Sequence, residues 1–145
     1  MPGSIDEATV LLVDDNDILL RTLVRALRRM GIEADGVTTG AAALRRLTAR
    51  PYRAVISDYM IGPGIDGLEV LTAAARFYPD SIRILLTGSA DDRITAACEQ
   101  GSVVTHMLQK PVELDHLQQA IGGATKAPPS RGGQPRVSQS KASQP

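Results

Sequence analysis

The stretch Ala54-Val55-Ile56-Ser57-Asp58 decides how this chain folds. Its apolar residues are consecutive and include two β-branched side chains, which is typical of a strand buried on both faces of a parallel sheet. Glycine and proline follow closely, at Gly62-Pro63-Gly64, and they interrupt regular structure there. Asp58 is therefore predicted to lie at the carboxyl end of a central strand, where open α/β sheets bind their ligands.

Other predicted strands also end in polar residues that suit the same edge of the sheet. Because the carboxyl ends of parallel strands meet at one edge, we expect these side chains to converge with Asp58. Each is ordinary when taken alone, since aspartate and threonine often cap helices and a lysine is usually a solvated charge. Together they indicate a site that holds a phosphoryl group. They are Asp14 and Asp15 after residues 10–13, Thr87 after residues 82–86, and Lys110 after residues 103–108.

Strand and helix patterns alternate five times along the chain. The first predicted helix has apolar residues at helical spacing from Leu20 to Leu27, with arginines mostly on its other faces. A weaker strand is predicted at residues 32–37, where charged and apolar residues alternate as at a sheet edge. The alternation predicts a doubly wound parallel α/β fold. The remaining helices are predicted around residues 42–47, 68–75, 91–100 and 113–121.

Composition and length restrict the class of protein. The 16 basic and 16 acidic residues give a formal net charge of +0, which argues against direct nucleic-acid or membrane binding. The single cysteine, Cys98, cannot form an internal disulfide, which fits a reducing cytoplasm. We expect a cytoplasmic protein with a leader at residues 1–8, a folded domain at 9–122 and a disordered tail or linker at 123–145. The break between domain and tail is predicted at Gly122-Gly123.

Carboxylates gathered at one sheet edge repel one another unless a cation neutralises them. Mg²⁺ prefers hard oxygen ligands, namely one or two carboxylates together with waters and phosphate oxygens. We expect Asp15 and Asp58 to bind Mg²⁺ directly and Asp14 to bind it directly or through water. The backbone carbonyl of Met60 can complete the ligands that the protein supplies.

Asp58 has a second predicted role, as the nucleophile. A carboxylate can attack phosphorus and form an aspartyl phosphate. Such a transfer requires that the charge on the equatorial oxygens be neutralised. We assign this neutralisation to the cation, to the Lys110 ammonium and to the Thr87 hydroxyl.

These motifs, with Asp66-Gly67, Thr87-Gly88 and Lys110-Pro111, resemble the receiver domain of two-component response regulators across about residues 8–121. The resemblance implies a flavodoxin-like (CheY-like) fold with five helices and strand order 2-1-3-4-5. It also implies a cis Lys110-Pro111 bond, and Mg²⁺-dependent phosphorylation of Asp58 by a sensor histidine kinase or a phosphotransfer protein.

The same resemblance implies a signalling switch in a phosphorelay and not a turnover enzyme. Phosphorylation would change a partner-binding face made of the fourth predicted helix, the fifth strand and the fifth helix. A downstream protein or a missing output domain would read that change.

Two features depart from the family pattern. The turn Ile61-Gly62-Pro63-Gly64-Ile65 carries one more residue than most relatives have, so the rate of dephosphorylation or the fit to a partner is expected to differ. Met107 stands where the family usually has an aromatic switch residue coupled to Thr87. A flexible thioether can fill that space, but the aromatic switch itself is not assumed.

Two other functions are compatible with parts of this pattern. Asp15-Asn16-Asp17 resembles the motif of haloacid-dehalogenase-type phosphatases, with Asp15 as nucleophile and Asp17 as general acid. Alternatively, the domain is a receiver that no longer cycles phosphate and acts only as an adaptor. His106 and His116 have no second ligand at metal spacing and are assigned ordinary structural roles.

Overall fold

The computed structural model describes residues 10–88 and 103–126, and within them it shows a five-stranded parallel sheet between two layers of helices. The strand order is β2-β1-β3-β4-β5, so the predicted doubly wound fold and its order are confirmed. The strands are β1 (Val10–Val13), β2 (Ala34–Val37), β3 (Ala54–Asp58), β4 (Ile82–Thr87) and β5 (His106–Gln109). The helices described are α1 (Asp17–Arg29), α2 (Gly40–Ala49), α3 (Gly67–Phe77) and α4 (Leu114–Lys126).

The two faces of the sheet bury separate apolar cores, because successive strand residues point to opposite faces. On one face, Val10 and Leu12 of β1 pack with α1 and α4. On the other face, Leu11 and Val13 pack with α2 and α3. All five residues of β3 are buried, as expected for the central strand of such a sheet.

Helix caps fix the chain where it leaves the carboxyl edge of the sheet. Asn16 caps α1 by accepting a hydrogen bond from the Leu19 amide, and Thr39 caps α2 in the same way. Asp66 and Glu69 form a capping box at the start of α3. Each helix therefore begins directly beyond the loop that carries the polar residues of the preceding strand end.

The buried Arg83 connects the segments that enter β4 and β5. Its guanidinium donates to the carbonyls of Pro79 and Ser81 and, on the other side, to the carbonyl of Val103. The Thr105 amide also donates to the Arg83 carbonyl, at 2.8 Å. The turn before β4 and the segment before β5 are thus joined through Arg83, with the Thr105 hydroxyl bonded to the Arg83 backbone as well.

Some boundaries differ from the sequence-based expectations. β2 begins at Ala34 and not at residue 32, because the Ile32 amide still bonds to the Leu27 carbonyl and closes α1. β5 covers His106–Gln109 and not residues 103–108, since the Val103 carbonyl is bound by the Arg83 side chain.

The last helix also differs from its prediction. It continues to Lys126 through the predicted break at Gly122-Gly123, since glycine costs a helix only about 1 kcal/mol. Leu114, expected on its apolar stripe, is 39% exposed, whereas Leu117 and Ile121 are buried. Leu114 is the first residue of this helix, where side chains project past the packed turns.

The predicted helix at 91–100, the leader at 1–8 and most of the predicted tail lie outside the described residues, so these expectations stay predictions. Across residues 10–88 and 103–126, no helix has the length and apolar character needed to span a bilayer.

Candidate functional site

Three carboxylates meet at the carboxyl edge of β1 and β3. Asp14, Asp15 and Asp58 each present a carboxylate oxygen within 4.8 Å of the other two. The register explains this convergence: Val13 lies beside Ser57 in the parallel β1–β3 pair, so the next residue of each strand reaches the same edge. Asp14 and Asp58 are buried and Asp15 is exposed, so the cluster is open to solvent on one side.

Lys110 connects two of these carboxylates. Its Nζ lies 2.9 Å from Oδ2 of Asp58 and 3.3 Å from Oδ2 of Asp14. The Lys110 backbone amide donates to the Thr87 carbonyl at 2.8 Å, which extends the β4–β5 pairing to the site. The peptide bond between Lys110 and Pro111 is cis, as the family resemblance implied.

The surroundings of Lys110 act on its pKa in opposite directions. Burial is the largest single influence and lowers the pKa, but the hydrogen bond to Asp58 and the attraction of Asp14 and Asp58 together outweigh it. The net result is a raised pKa, so the ammonium stays charged throughout the neutral range.

The three carboxylates differ in how many of their oxygens already accept hydrogen bonds. Oδ1 of Asp14 accepts from the Asn16 amide at 2.9 Å, and its Oδ2 faces Lys110. Asp58 accepts from Lys110 through Oδ2, and in the part of the chain that the structure describes its Oδ1 has no donor. Asp15 likewise has no hydrogen-bond donor among those residues. Asp15 and Asp58 thus keep oxygens available for a cation or a phosphoryl group.

Thr87 and Met60 complete the set of predicted site residues. Thr87 is the last residue of β4 and is 4% exposed, one position beyond Leu86, which pairs with Asp58. Met60 lies on the loop after β3 with its side chain 69% exposed. The roles assigned to the Thr87 hydroxyl and the Met60 carbonyl remain predictions.

The loop between β3 and α3 packs against the core on one side and borders the acidic cluster on the other. Ile61 is 3% exposed and packs in the core formed with α2 and α3, a role that the sequence analysis did not identify. Gly62 and Gly64 adopt φ angles of 88° and 94°, which favour glycine. A Cβ on Gly62 would lie 3.9 Å from Oδ2 of Asp15, so this turn borders the acidic cluster.

Asp17 is placed differently from the other acidic residues. It is the exposed first residue of α1, and its Oδ2 accepts from Nη2 of Arg21 at 2.6 Å. This hydrogen bond raises the pKa of Arg21 and engages the carboxylate that a phosphatase mechanism would need as a general acid. Met107 lies in β5 opposite Leu85 and is 38% exposed.

Three aspartates and a lysine gather at the carboxyl edge of a sheet of this order, with a threonine at the end of the next strand, and such a site defines a class of signalling domain. The profile of the family described as the response regulator receiver domain matches residues 10–122. The chain belongs to this family, the phosphorylation-dependent switches of two-component systems, and the phosphatase alternative is not favoured.

Curated relatives support the same assignment. The chain is 30% identical over 128 residues to the photosynthetic apparatus regulatory protein RegA of Rhodovulum sulfidophilum, covering 86% of this chain and 68% of RegA. It is 37% identical over 119 residues to the transcriptional regulatory protein GlrR of Escherichia coli, covering 81% of this chain. The chain spans 26% of GlrR and 45% of the mycobacterial transcriptional regulatory protein TcrA, which are therefore much longer proteins.

Solved structures agree with the fold. The signal receiver domain of an HD domain-containing protein from Pseudomonas fluorescens aligns with a TM-score of 0.74 at 29% identity, covering 81% of this chain and 94% of that chain. The response regulator protein TrrA from Thermotoga maritima, in complex with Mg²⁺-BeF, aligns with a TM-score of 0.70 at 28% identity. That alignment covers 80% of this chain and 97% of TrrA.

Proposed function

We propose that Asp58 accepts a phosphoryl group from a sensor histidine kinase or a phosphotransfer protein in the presence of Mg²⁺. The observation that carries this proposal is the position of Lys110, whose ammonium bridges Asp58 and Asp14 beside a cluster of three carboxylates. This arrangement gives Asp58 both a cation partner and an oxygen without a hydrogen-bond donor in the described residues.

The residues of the acidic cluster fit Mg²⁺. They offer only hard oxygen donors, and the solvent-open side of the cluster leaves room for the waters that Mg²⁺ retains. Asp15 and Asp58 would hold the ion directly, with Asp14 direct or through water and the Met60 carbonyl as a further ligand. When bound, Mg²⁺ neutralises the carboxylates and the phosphoryl oxygens.

Three residues of the chain have separate roles in the phosphoryl transfer. An oxygen of Asp58 forms a new bond to phosphorus while the bond from phosphorus to the donor atom breaks, and the donor keeps that electron pair. The Lys110 ammonium then pairs with a phosphoryl oxygen in place of the carboxylate. The Thr87 hydroxyl, at the end of the neighbouring strand, donates to another phosphoryl oxygen.

The phosphorylated residue carries a larger negative charge than the carboxylate that it replaces. Lys110 follows β5 and Thr87 ends β4, so new bonds from these residues to the phosphoryl group stabilise one arrangement of the two strands over another. We propose that this shift changes the affinity of the face containing β5 and α4 for a downstream protein or an output domain.

The direct test is phosphate incorporation from acetyl phosphate with Mg²⁺. Wild-type protein should gain one acid-labile phosphate, and Asp58→Asn should gain none while keeping its circular dichroism spectrum. Asp80→Asn, in the exposed turn before β4, is the matched control and should incorporate normally. Incorporation retained in Asp58→Asn would reject the assignment of this residue.

Binding of a phosphate mimic separates a cycling receiver from an adaptor. TrrA is known in complex with Mg²⁺-BeF. We expect this chain to bind beryllium fluoride in the presence of Mg²⁺ and to lose that binding in EDTA. An adaptor that no longer cycles phosphate would bind beryllium fluoride in neither condition.

We also propose that the chain acts as a regulatory switch and not as a turnover enzyme, and that it works in the cytoplasm. Relatives named as transcriptional regulatory proteins are longer, so a separate output domain or a separate partner protein passes on the signal. The receiver itself does not bind nucleic acid or membranes directly.

A further inference from the structure

A groove of about 660 Å³ lies between α1 and the free side of β2. In the described sheet β2 is an edge strand, paired with β1 on one side only. The volume falls within the range of about 300–1,000 Å³ that is usual for ligand sites. No part of the phosphoryl site described above forms the floor of this groove.

The floor of the groove is apolar and its shape depends on Gly36. A Cβ at this position would approach the side chains of Leu20 and Val24 to 3.0 Å, so any larger residue would require these side chains to shift by a few tenths of an ångström. Leu20, Val24 and Val37 line the groove beside it. An apolar floor of this kind favours a ligand that carries apolar side chains.

The rim of the groove is strongly basic. Arginines at spacings of three and four residues follow one side of α1, as helical neighbours do. The lining contains one acidic residue, Asp17, and it is already paired with Arg21. Arg28 donates to the Ala34 carbonyl through Nε and Nη2. The rim arginines are Arg21, Arg25, Arg28 and Arg29.

Two of these arginines, Arg25 and Arg29, have neither a carboxylate nor a carbonyl partner in residues 10–88 and 103–126, whereas Arg28 is bound to the Ala34 carbonyl. Arg25 and Arg29 are exposed and stand four residues apart, a like-charge spacing that destabilises a helix by a few tenths of a kcal/mol. Arg29 is in the last turn, where the helix dipole favours a cation, but Arg25 is not. Within the described residues, neither the helix dipole nor an ion pair accounts for the positive charge of Arg25.

We propose that this groove binds an acidic peptide segment of a partner protein. The carboxylates of the segment pair with Arg25 and Arg29, since guanidinium groups match carboxylates in a bidentate manner. Its apolar side chains lie on Leu20 and Val24. A nucleic acid would use the arginines but not the apolar floor, and the chain as a whole has a formal net charge of +0.

The test uses fluorescein-labelled peptides and fluorescence anisotropy on the full chain. The probe is a short peptide of the repeat Glu-Leu-Glu-Ser. Wild-type protein should bind it, and Arg25→Glu/Arg29→Glu should bind it at least about tenfold more weakly. Arg76→Glu, an exposed arginine of α3, is the matched control and should bind like the wild type.

Further probes distinguish the possible ligands. A peptide of the repeat Glu-Ser-Glu-Ser should bind more weakly than the probe, because it lacks the leucines that cover the floor. In spectra of ¹⁵N-labelled protein, the probe should shift the Gly36 amide. Equal binding of the serine peptide, tighter binding of a DNA duplex, or no binding of the probe would each overturn the proposal.

Discussion

At Gly67 the backbone at the start of α3 packs directly against the backbone at the end of β3. A Cβ there would overlap the carbonyl oxygen of Asp58 and lie 2.9 Å from Cα of Tyr59. The Gly67 amide also donates to the Tyr59 carbonyl at 3.0 Å, so this contact fixes how the chain turns away from β3. The sequence analysis noted Asp66-Gly67 only as part of a family resemblance, whereas the structure gives the steric reason for the glycine.

We predict that Gly67→Ala destabilises the protein by about 2–3 kcal/mol, because the contact is with backbone that cannot swing away. The measurement is the free energy of unfolding in urea. Gly122→Ala is the matched control, since a Cβ at Gly122 meets nothing within 4 Å. It should be neutral or stabilise the helix by up to about 1 kcal/mol. Equal stability of Gly67→Ala and wild type would contradict this packing.

The positions of individual site residues could largely be predicted from the sequence, because each is marked by the few residues next to it. Asp14 and Asp58 each follow an apolar run, and the rule that strand ends share an edge is sufficient to bring them together. Ile61 was missed because it stands alone in a turn rich in glycine and proline, where no periodic pattern marks a buried residue.

At the scale of the element, β2 is held at the sheet edge by a polar cluster. The Tyr52 hydroxyl donates to Oδ2 of Asp35 at 2.8 Å, and Arg46 and Arg50 approach the same oxygen at 3.4 and 3.6 Å. The Tyr52 ring is 2% exposed. The β2 strand can carry the charged Asp35 because side chains from α2 and from the segment before β3 pair with its carboxylate.

This cluster predicts an alkaline loss of stability. Burial first, and then the hydrogen bond to Asp35, raise the pKa of Tyr52 above its usual value. The unfolded chain therefore loses the Tyr52 proton at a lower pH than the folded one. The stabilisation that Tyr52 gives the folded state is complete below about pH 10 and falls above it.

The variant that tests this is Tyr52→Phe. Near neutral pH it should cost about 1 kcal/mol for the lost hydrogen bond. The difference in unfolding free energy between wild type and variant should shrink as the pH rises above about 10. Urea unfolding at a series of pH values measures it, and parallel pH profiles for the two proteins would refute the assigned role of Tyr52.

Element boundaries were less predictable than element identity. The apolar pattern located every described strand, but Arg83 near the amino end of β4 gave no indication that it would be buried. Its acceptors come from the turn before β4 and from Val103, and such pairings arise only once the chain has folded. The register of β5 depends on these same contacts.

For the whole molecule, the acidic cluster predicts stabilisation by Mg²⁺. A ligand that binds only the folded state stabilises it by about 2.7 kcal/mol at a concentration of 100 times its dissociation constant. The thermal midpoint should therefore rise on adding Mg²⁺ and return to its starting value in EDTA. The thermal midpoint of Asp15→Asn should rise less on adding Mg²⁺. Asp115 is an exposed residue of α4, and the midpoint of Asp115→Asn should rise as much as that of the wild type. An unchanged midpoint would show that the cluster is not a cation site.

The Arg83 side chain joins the turn before β4 to the segment before β5. These segments lie at the amino ends of β4 and β5, while Thr87 and Lys110 stand at the opposite ends of the two strands. We therefore expect a change in the angle between these strands to leave the surroundings of Arg83 in place and to displace Lys110 relative to Thr87, at the cost of the hydrogen bond between their backbones.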